Sequence, residues 1–277
     1  TDFSNNDNKG YVHGANWTRN GIGSSAYEFD GVDDYIEVIT SSLPQGDVNK
    51  SITVWARIKN ECEFVDCNIG GFGNTSNYNN FQLGTTDANF SVFGFGPGDA
   101  DWDTGINVIN FTDNWHFYSV TYNGSKTIFY IDGKNFSQTN QFTWNTSVTS
   151  VIIGNSIGQF GQAFNGSIDE FKIYNATLSK SQIIANYNGT PITKNLSLYF
   201  SFNKTSMYSG MDRDDNTTHY EFPAVYDETY SVDVMCTDKF NSTINRYIYN
   251  VSVDTIDPQL TLNHPTNNLV LDNNIVQ

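Results

Sequence analysis

The 277-residue chain carries 14 Lys and Arg against 30 Asp and Glu, a formal charge of −16. So anionic a surface repels the phosphate backbone and has no cations to spare for it, which excludes nucleic acid as a principal partner. The 41 Phe, Tyr and Trp stand against nine Leu and nine Ala, so strand formers abound while helix formers are scarce, and no run approaches 18 apolar residues, so no membrane span is expected in this segment.

In chain order, most periodic segments alternate with period two between Gly, Asn or Asp, the pattern of short antiparallel strands. Residues 35–38 and 51–58 are the first clear examples; in the latter, Ile52, Val54, Ala56 and Ile58 share one face and Thr53, Trp55 and Arg57 the other. Cys62 and Cys67 are close enough for a small local disulfide, leaving Cys236 over. Zinc is not expected, because three Cys and the dispersed His13, His116, His219 and His264 offer no ligand spacing. Asn123-Gly124 and Asp132-Gly133 suit turns that need positive φ and predict a strand meander over about residues 115–137.

One stretch reads as helix, residues 177–187, with Ser179 as N-cap, Gln182 in capping-box position and Asn188-Gly189 as the stop. After Pro191 the pattern returns to strands at 196–202, 229–236 and 246–253, and a domain boundary is expected near 189–195. The chain begins with Thr1 and ends mid-pattern at Ile275-Val276-Gln277, which reads as a piece of something longer.

Asparagine is the compositional anomaly. Scattering 51 Ser and Thr at random would place 36 Asn in roughly 7 acceptor triplets for N-glycosylation. The sequence has 16: Asn16, Asn49, Asn74, Asn89, Asn110, Asn123, Asn135, Asn145, Asn165, Asn175, Asn188, Asn195, Asn203, Asn216, Asn241 and Asn250. This excess implies N-linked glycans and an extracellular or cell-surface address. Asn123, at a turn, is the most credible acceptor, with Asn175 and Asn188 flanking the helix.

Four segments, in order, carry a resemblance over residues 2–189. They are Thr1-Asp2-Phe3-Ser4-Asn5-Asn6-Asp7-Asn8-Lys9-Gly10, then Tyr27-Glu28-Phe29-Asp30-Gly31-Val32-Asp33-Asp34-Tyr35-Ile36, then Trp115-His116 with Tyr130-Ile131-Asp132-Gly133, and Asn165-Gly166-Ser167-Ile168-Asp169-Glu170-Phe171-Lys172-Ile173-Tyr174 before the helix. Together they resemble the laminin-G-like, concanavalin A-type jelly-roll modules of bacterial and archaeal surface proteins. Residues 190–256 resemble immunoglobulin-like repeats of such proteins, through Thr229-Tyr230-Ser231-Val232-Asp233-Val234, Thr237-Asp238 and Val253-Asp254-Thr255-Ile256-Asp257-Pro258. The resemblance implies an all-β chain: an antiparallel jelly-roll sandwich over 1–189, then an immunoglobulin-like β-sandwich over 190–256. Residues 257–277 would open a further repeat or donate a strand. Modules of the first kind begin with an apolar strand that this chain lacks. Residues 196–203 could fill that slot, in the chain or in a neighbouring copy; the favoured reading makes them an early strand of the next domain, with the missing strand upstream of Thr1.

The jelly-roll is shared with laminarinases and lichenases, whose paired carboxylates alternate on one strand. Glu61-Cys62-Glu63 lacks the Asp their signature places between the two glutamates and sits at a cysteine pair, so no catalytic residue is assigned. The superfamily implies a structural Ca²⁺ with Asp169 as carboxylate ligand and Asp30-Gly31 as the early turn; the alternative makes Asp169 a strand-end cap and Asp33-Asp34 a solvated turn. Sugar binding needs an exposed aromatic platform. Tyr78, Phe95, Trp102 and Trp144 fall in Gly- and Asn-rich surroundings, with Asp99, Asp101 and Asp103 flanking Trp102; Trp102 and Trp144 are the candidates for sugar stacking.

The leading expectation is a non-enzymatic, heavily glycosylated surface segment used in adhesion, a coat or a filament, forming a homo-oligomer or polymer by strand exchange. The alternative is a carbohydrate-binding module, with cell-surface carbohydrate as partner, attached to a surface enzyme outside this chain.

Overall fold

The computed structural model describes residues 2–4, 6, 8–22, 25–40, 42–63, 66–75, 79–94, 101–147, 150–157, 162–202, 212–214, 217–219, 228–237, 244–253 and 261–262. They belong to two units, Thr1–Thr205 and Ser206–Gln277. The strands of the first are β1 (Lys9–His13), β2 (Asn16–Thr18), β3 (Ala26–Asp30), β4 (Tyr35–Ile39), β5 (Lys50–Ile58), β6 (Cys67–Gly73), β7 (Asn80–Thr86), β8 (Asn89–Phe93), β9 (Trp102–Asn107), β10 (His116–Tyr122), β11 (Thr127–Ile131), β12 (Lys134–Thr139), β13 (Ser150–Ile153), β14 (Asn165–Tyr174) and, after helix α1 (Lys180–Tyr187), β15 (Leu196–Phe200).

These strands form two antiparallel sheets packed face to face, as in a jelly-roll sandwich. One runs β1-β4-β13-β6-β7-β8-β9; the other runs β12-β11-β10-β5-β14-β3-β2, with β15 also on β14. Period-two alternation decides which side chains meet between them. Ile52, Val54, Ala56 and Ile58 of β5 are fully buried in the same core as Phe72, Phe81, Leu83, Phe90 and Val92 of the opposite sheet. Each such side chain contributes roughly 1.5–3 kcal/mol of burial. The other face of β5 is covered by α1: Trp55 stacks on Tyr187 with ring centroids 5.5 Å apart, and Ile183 packs with Phe117, Tyr130, Tyr174 and Leu178.

Local signals placed the helix and the meander. Ser179 accepts from the Gln182 backbone while Gln182 reaches back to the Ser179 N–H, the reciprocal capping box, and Gly189 follows the helix at φ +76°. Asp132 and Gly133 both take positive φ, 49° and 73°, between β11 and β12. Asp132 is further fixed by accepting from the Phe117 N–H at 3.0 Å and facing His116 Nδ1 at 2.8 Å. The expected disulfide joins Cys62 to Cys67.

Of the readings of the strand slot, the structure has residues 196–200 fill it from within the chain, which corrects the favoured one. β3 pairs with β14 only as far as Ile168, and a register irregularity between Asp169 and Lys172 precedes a second half-ladder that β3 does not reach. β15 occupies it, with Phe171 opposite Phe200 and Ile173 opposite Leu198, so the edge is closed from within the chain. Leu198 is fully buried and Phe200 is 4% exposed. The N-terminal segment locks onto the same strand: the Asp2 carboxylate accepts from Ser4 N, Asn8 N, Asn8 Nδ2 and Tyr199 N. The domain boundary therefore falls at 205/206, not at 189–195, because β15 belongs to the sandwich.

In the second unit, β16 (Asp212–Asp214) and β17 (Thr217–His219) pair, and β18 (Glu228–Thr237), β19 (Ile244–Val253) and β20 (Thr261–Leu262) form one antiparallel sheet. The strands expected at 229–236 and 246–253 are present. Thr261 and Leu262, expected to open another repeat, instead pair with Ser252 and Val251 of β19. The side chain of Cys236 lies outside the described residues.

Lys50 has no exposed surface; its Nζ donates to the carbonyls of Gly46 and Trp144 and lies 5.3 Å from the Tyr122 ring centroid. Burial lowers its pKa to about 7, against the opposing pull of Asp47. The unfolded chain then binds the extra proton between pH 7 and about 10.5, so stability rises with pH across that window, with a slope of up to ~1.4 kcal/mol per pH unit. Above pH 10 the buried Tyr174 and the half-buried Tyr199, whose pKa values burial raises, act in the opposite direction. Denaturant melts between pH 7 and 9.5 are expected to show the rise, and Lys50→Met to reduce it, with Lys172, whose pKa burial also lowers, supplying the remainder. Truncation after residue 205 is expected to preserve cooperative thermal unfolding by circular dichroism, and truncation after residue 189 to abolish it.

Candidate functional site

A sandwich hides one face of each sheet, and here the other face of the seven-stranded sheet is the chemically unusual one. Along β7 and β8, Phe81, Leu83, Phe90 and Val92 enter the core, so Asn80, Gln82, Ser91 and Phe93 project from the opposite side. On β6, Asn68 lies between the core residues Cys67 and Ile69 and joins that outer set. Gly84 pairs with both Asn68 and Ser91; a Cβ there would collide with the Cys67 carbonyl oxygen and come within 2.8 Å of Asn68 Cα, so only glycine lets β6 pack this closely beside the Asn68 amide.

Solvated sheet faces carry exposed charged and hydroxyl side chains. Instead Asn68, Asn80, Gln82 and Ser91 have no exposed surface, and Asn155, just beyond β13, has 2%. Their hydrogen bonding is incomplete. Asn80 Nδ2 donates to the Asn74 carbonyl at 3.4 Å, and Gln82 Oε1 accepts from the Ile157 N–H at 3.1 Å. Both polar atoms of Asn68, Asn80 Oδ1, Gln82 Nε2, Ser91 Oγ and Asn155 Nδ2 have no protein partner, six of the ten such atoms among the described residues. An unmet buried polar group costs about 1–3 kcal/mol, so six together rival the 5–15 kcal/mol stability of a whole domain. Groups that a fold leaves unmet at such cost are suited to a ligand that brings its own donors and acceptors. The five residues are uncharged, each amide both donates and accepts, and Phe93 adds an apolar ring. That combination suits the hydroxyls and C–H faces of a neutral, polyhydroxylated molecule.

The sites expected from sequence fare differently. Trp144 is fully buried: its Nε1 donates to Thr127 Oγ1 at 2.7 Å and its ring packs beside Phe81 and Phe142. Trp102 is 7% exposed and part of the core cluster. Neither offers a ring face for stacking, which corrects that expectation. Tyr78, Phe95 and Asp99 lie outside the described residues.

The calcium set also comes apart. Asp30 pairs with Asn165, whereas Asp169 lies four residues further along β14, about 13 Å at the rise of a strand. Asp169 is fully buried, with its carboxylate accepting from Ile22 N at 2.9 Å and Glu170 N at 2.7 Å. Asp30 and Gly31 therefore do not converge with Asp169, and no calcium chemistry is assigned to that set. Asp30 gathers instead with Asp33 and Asp34, their carboxylate oxygens within 4.8 Å of one another. Burial raises the pKa of Asp34, although its carboxylate accepts from the Asp30 N–H. Beside these acids, His13 and Tyr35 stack at 4.3 Å and line a cleft of about 300 Å³ with Gly14 and Asp33. Glu61 is exposed on a short 3-10 turn.

Twelve of the 16 acceptor asparagines fall in the described part of the first unit. Nine are exposed, while Asn74, Asn89 and Asn165 are half-buried. Among the described residues the five buried asparagines, Asn8, Asn68, Asn80, Asn155 and Asn186, all lie outside acceptor triplets. Asn203, Asn216 and Asn241 are outside the described residues, as is the side chain of Asn250 in β19.

Two facing antiparallel sheets make a jelly-roll sandwich. The chain belongs to the concanavalin A-like lectin/glucanases superfamily: its Laminin_G_3 family model matches residues 30–184, more than half the chain. No curated protein matches the chain in sequence. Among solved structures it is similar to domain 4 of AbnA, an extracellular arabinanase of Geobacillus stearothermophilus, in complex with arabinotriose. That match has 17% identity and a TM-score of 0.50, over 66% of this chain and 94% of that one. It is also similar to the binding domain of Paraclostridial mosquitocidal protein 1, with 16% identity and a TM-score of 0.52 over 99% of this chain and 68% of that one. The receptor-binding domain of botulinum neurotoxin mosaic serotype C/D has 13% identity and a TM-score of 0.51, over 94% of this chain and 65% of that one. At these identities the likeness establishes the fold.

Sequence reasoning looked for aromatics in loops and passed over the strands. The available signal was the string Asn80-Phe81-Gln82-Leu83-Gly84, whose polar positions are amides and glycine with no charge. If the outer amides are unmet by the protein, Asn68→Ala is expected to leave the melting temperature unchanged or raise it, whereas Asn186→Ala, which breaks hydrogen bonds to Tyr174 and Ile192, is expected to cost about 1–3 kcal/mol.

Proposed function

We propose that this chain is a non-enzymatic carbohydrate-binding segment of a secreted or cell-surface protein, and that the outer face of the seven-stranded sheet holds the sugar. The cluster of buried amide and hydroxyl atoms without protein partners carries this reading. The arabinotriose bound by the AbnA domain belongs to that protein, and supports a saccharide as the ligand class here by analogy of fold. Asn68 and Gln82 would exchange hydrogen bonds with sugar hydroxyls and Phe93 would supply an apolar contact. No glycosidic bond is cut in this reading, because the described carboxylates near this face, such as Asp101 and Asp103, are engaged with Gly94 N, Gly105 N and Asn89.

A second reading, a glycosylated adhesion, coat or filament subunit, is favoured by the asparagine pattern. Acceptor asparagines stay off buried positions while other asparagines do not, as N-linked glycans require. The two readings are compatible, since none of the five amide and hydroxyl residues that line this face is itself a glycan acceptor. In it the second unit is an immunoglobulin-like spacer, on the strength of the β18-β19-β20 meander, and copies associate through surfaces other than β15, which the sandwich already uses.

Screening on an array of neutral and acidic glycans, followed by calorimetric titration, tests the proposal. Neutral oligosaccharides are expected to bind, and Asn68→Ala or Gln82→Ala to weaken binding at least tenfold. Selective binding of sulfated or sialylated glycans, or unaltered affinity in both variants, would count against this face. Monodisperse behaviour of the glycosylated chain at all concentrations in sedimentation would count against the coat or filament reading.

A further inference from the structure

The acceptor triplets divide by a feature that asparagine exposure does not reveal, the position of the hydroxyl two residues on. The transferring enzyme recognises that Ser or Thr together with the Asn, so both must reach it. At Asn123, Asn145 and Asn188 the partner hydroxyls belong to Ser125, Ser147 and Thr190, and all six residues are exposed. At Asn49, Asn89, Asn165 and Asn195 the partners are Ser51, Ser91, Ser167 and Ser197, which are 0, 0, 1 and 4% exposed.

Those buried serines are built into the sandwich. Ser51 lies at the start of the central strand β5, one residue after Lys50, donates to the Ala176 carbonyl at 2.8 Å and accepts from the Leu178 N–H at 3.0 Å. Ser167 lies in β14 between β3 and β5, opposite Glu28 and Arg57, and accepts from Arg57 Nη2 at 3.2 Å. Ser91 lies in β8 opposite Gly84. Ser197 lies in β15, and its carbonyl accepts from Ser4 Oγ at 3.1 Å and Asn8 Nδ2 at 3.1 Å. Presenting any of these triplets in extended form requires pulling a strand out of its sheet. For β5 and β14, which pair on both sides, that amounts to opening the domain.

From this we infer that glycosylation of this chain has two phases: Asn49, Asn89, Asn165 and Asn195 accept glycan only before the sandwich closes, whereas Asn123, Asn145 and Asn188 also accept it on the folded protein. The inference rests on the glycosylation reading above; Ser91 also lines the amide face, whereas Ser51, Ser167 and Ser197 lie on the eight-stranded sheet and carry the inference apart from it. In each transfer the asparagine side-chain nitrogen bonds to the anomeric carbon of a polyprenyl-pyrophosphate-linked oligosaccharide. The bond from that carbon to the pyrophosphate oxygen breaks, polyprenyl pyrophosphate leaves, and the displaced amide proton passes to base. Asn165 itself is half-buried and lines a cleft of about 210 Å³ with Glu28, Asp30 and Lys59. Access of Ser167 to the enzyme sets the order.

The test uses the full 277-residue chain made without glycans, an oligosaccharyltransferase and a polyprenyl-pyrophosphate oligosaccharide, with occupancy read by peptide mass spectrometry. On the folded chain Asn123, Asn145 and Asn188 are expected to fill, while Asn49, Asn89, Asn165 and Asn195 fill about 10³-fold more slowly or not at all. Reducing and unfolding the chain first is expected to bring the second group up to the rate of the first. Filling of Asn165 on the folded chain at the rate of Asn123 overturns the inference, as does refusal of Asn123, Asn145 and Asn188 by the folded chain. Synthetic peptides spanning the triplets separate the two claims: if they too stay bare, the glycosylation reading itself fails.

Discussion

A β-strand presents two faces, and packing two sheets together can bury only one face of each in a shared apolar core. Everything distinctive here follows from how the remaining faces are handled. The eight-stranded sheet covers its outer side with α1, whose Ile183 and Tyr187 meet Phe117, Tyr130, Tyr174 and Trp55. The seven-stranded sheet does not repeat that solution. Its outer side is lined by Asn68, Asn80, Gln82, Ser91 and Asn155, removed from solvent yet incompletely hydrogen-bonded. One outer face is thus used for stability and the other carries unmet polar groups. A cost in stability concentrated at one place is the usual mark of a binding surface.

The ladder on β14 makes this arrangement possible. That ten-residue strand pairs with β5 along one side, and with β3 and then β15 along the other. Lys172, nearly buried, joins the two halves of the network: its ammonium meets Glu170 at 2.5 Å and lies 4.2 Å from the Tyr199 ring centroid, while the Tyr199 hydroxyl donates to the same Glu170 carboxylate at 2.7 Å. Removing one partner would strand a buried charge, so the contact fixes β15 in register more than it adds net stability. With β15 and the Asp2 segment in place, the eight-stranded sheet is completed from residues at both ends of the first unit. This is why the unit extends to Thr205.

What the sequence made legible was local. Ser179 and Gln182 announced the helix, and Asn123-Gly124 and Asp132-Gly133 announced the meander, because capping and turn chemistry act within a few residues. The family segments likewise located the sandwich. Pairing was half legible: residues 196–203 read as a strand able to fill the open slot, but nothing in them names residues 171–174 as partner, and the favoured reading placed the missing strand upstream. Burial of aromatics was not legible, since Trp144 resembles a loop platform until Thr127 and Phe81 are placed around it. The amide face failed for a related reason. Alternation tells which of Asn80, Phe81, Gln82 and Leu83 share a side, but not that the polar side would also be withdrawn from water.

The side-chain amide resonances of Asn68 and Gln82, followed by ¹⁵N-edited NMR while a neutral oligosaccharide is titrated into the whole chain, test the central claim most directly. Saturable shifts at these two amides and at Gly84, with the His13 and Tyr35 rings unmoved, are the result this account predicts. Shifts confined to the His13–Tyr35 cleft, with Asn68 and Gln82 unchanged at saturation, would contradict it and move the ligand to the other surface.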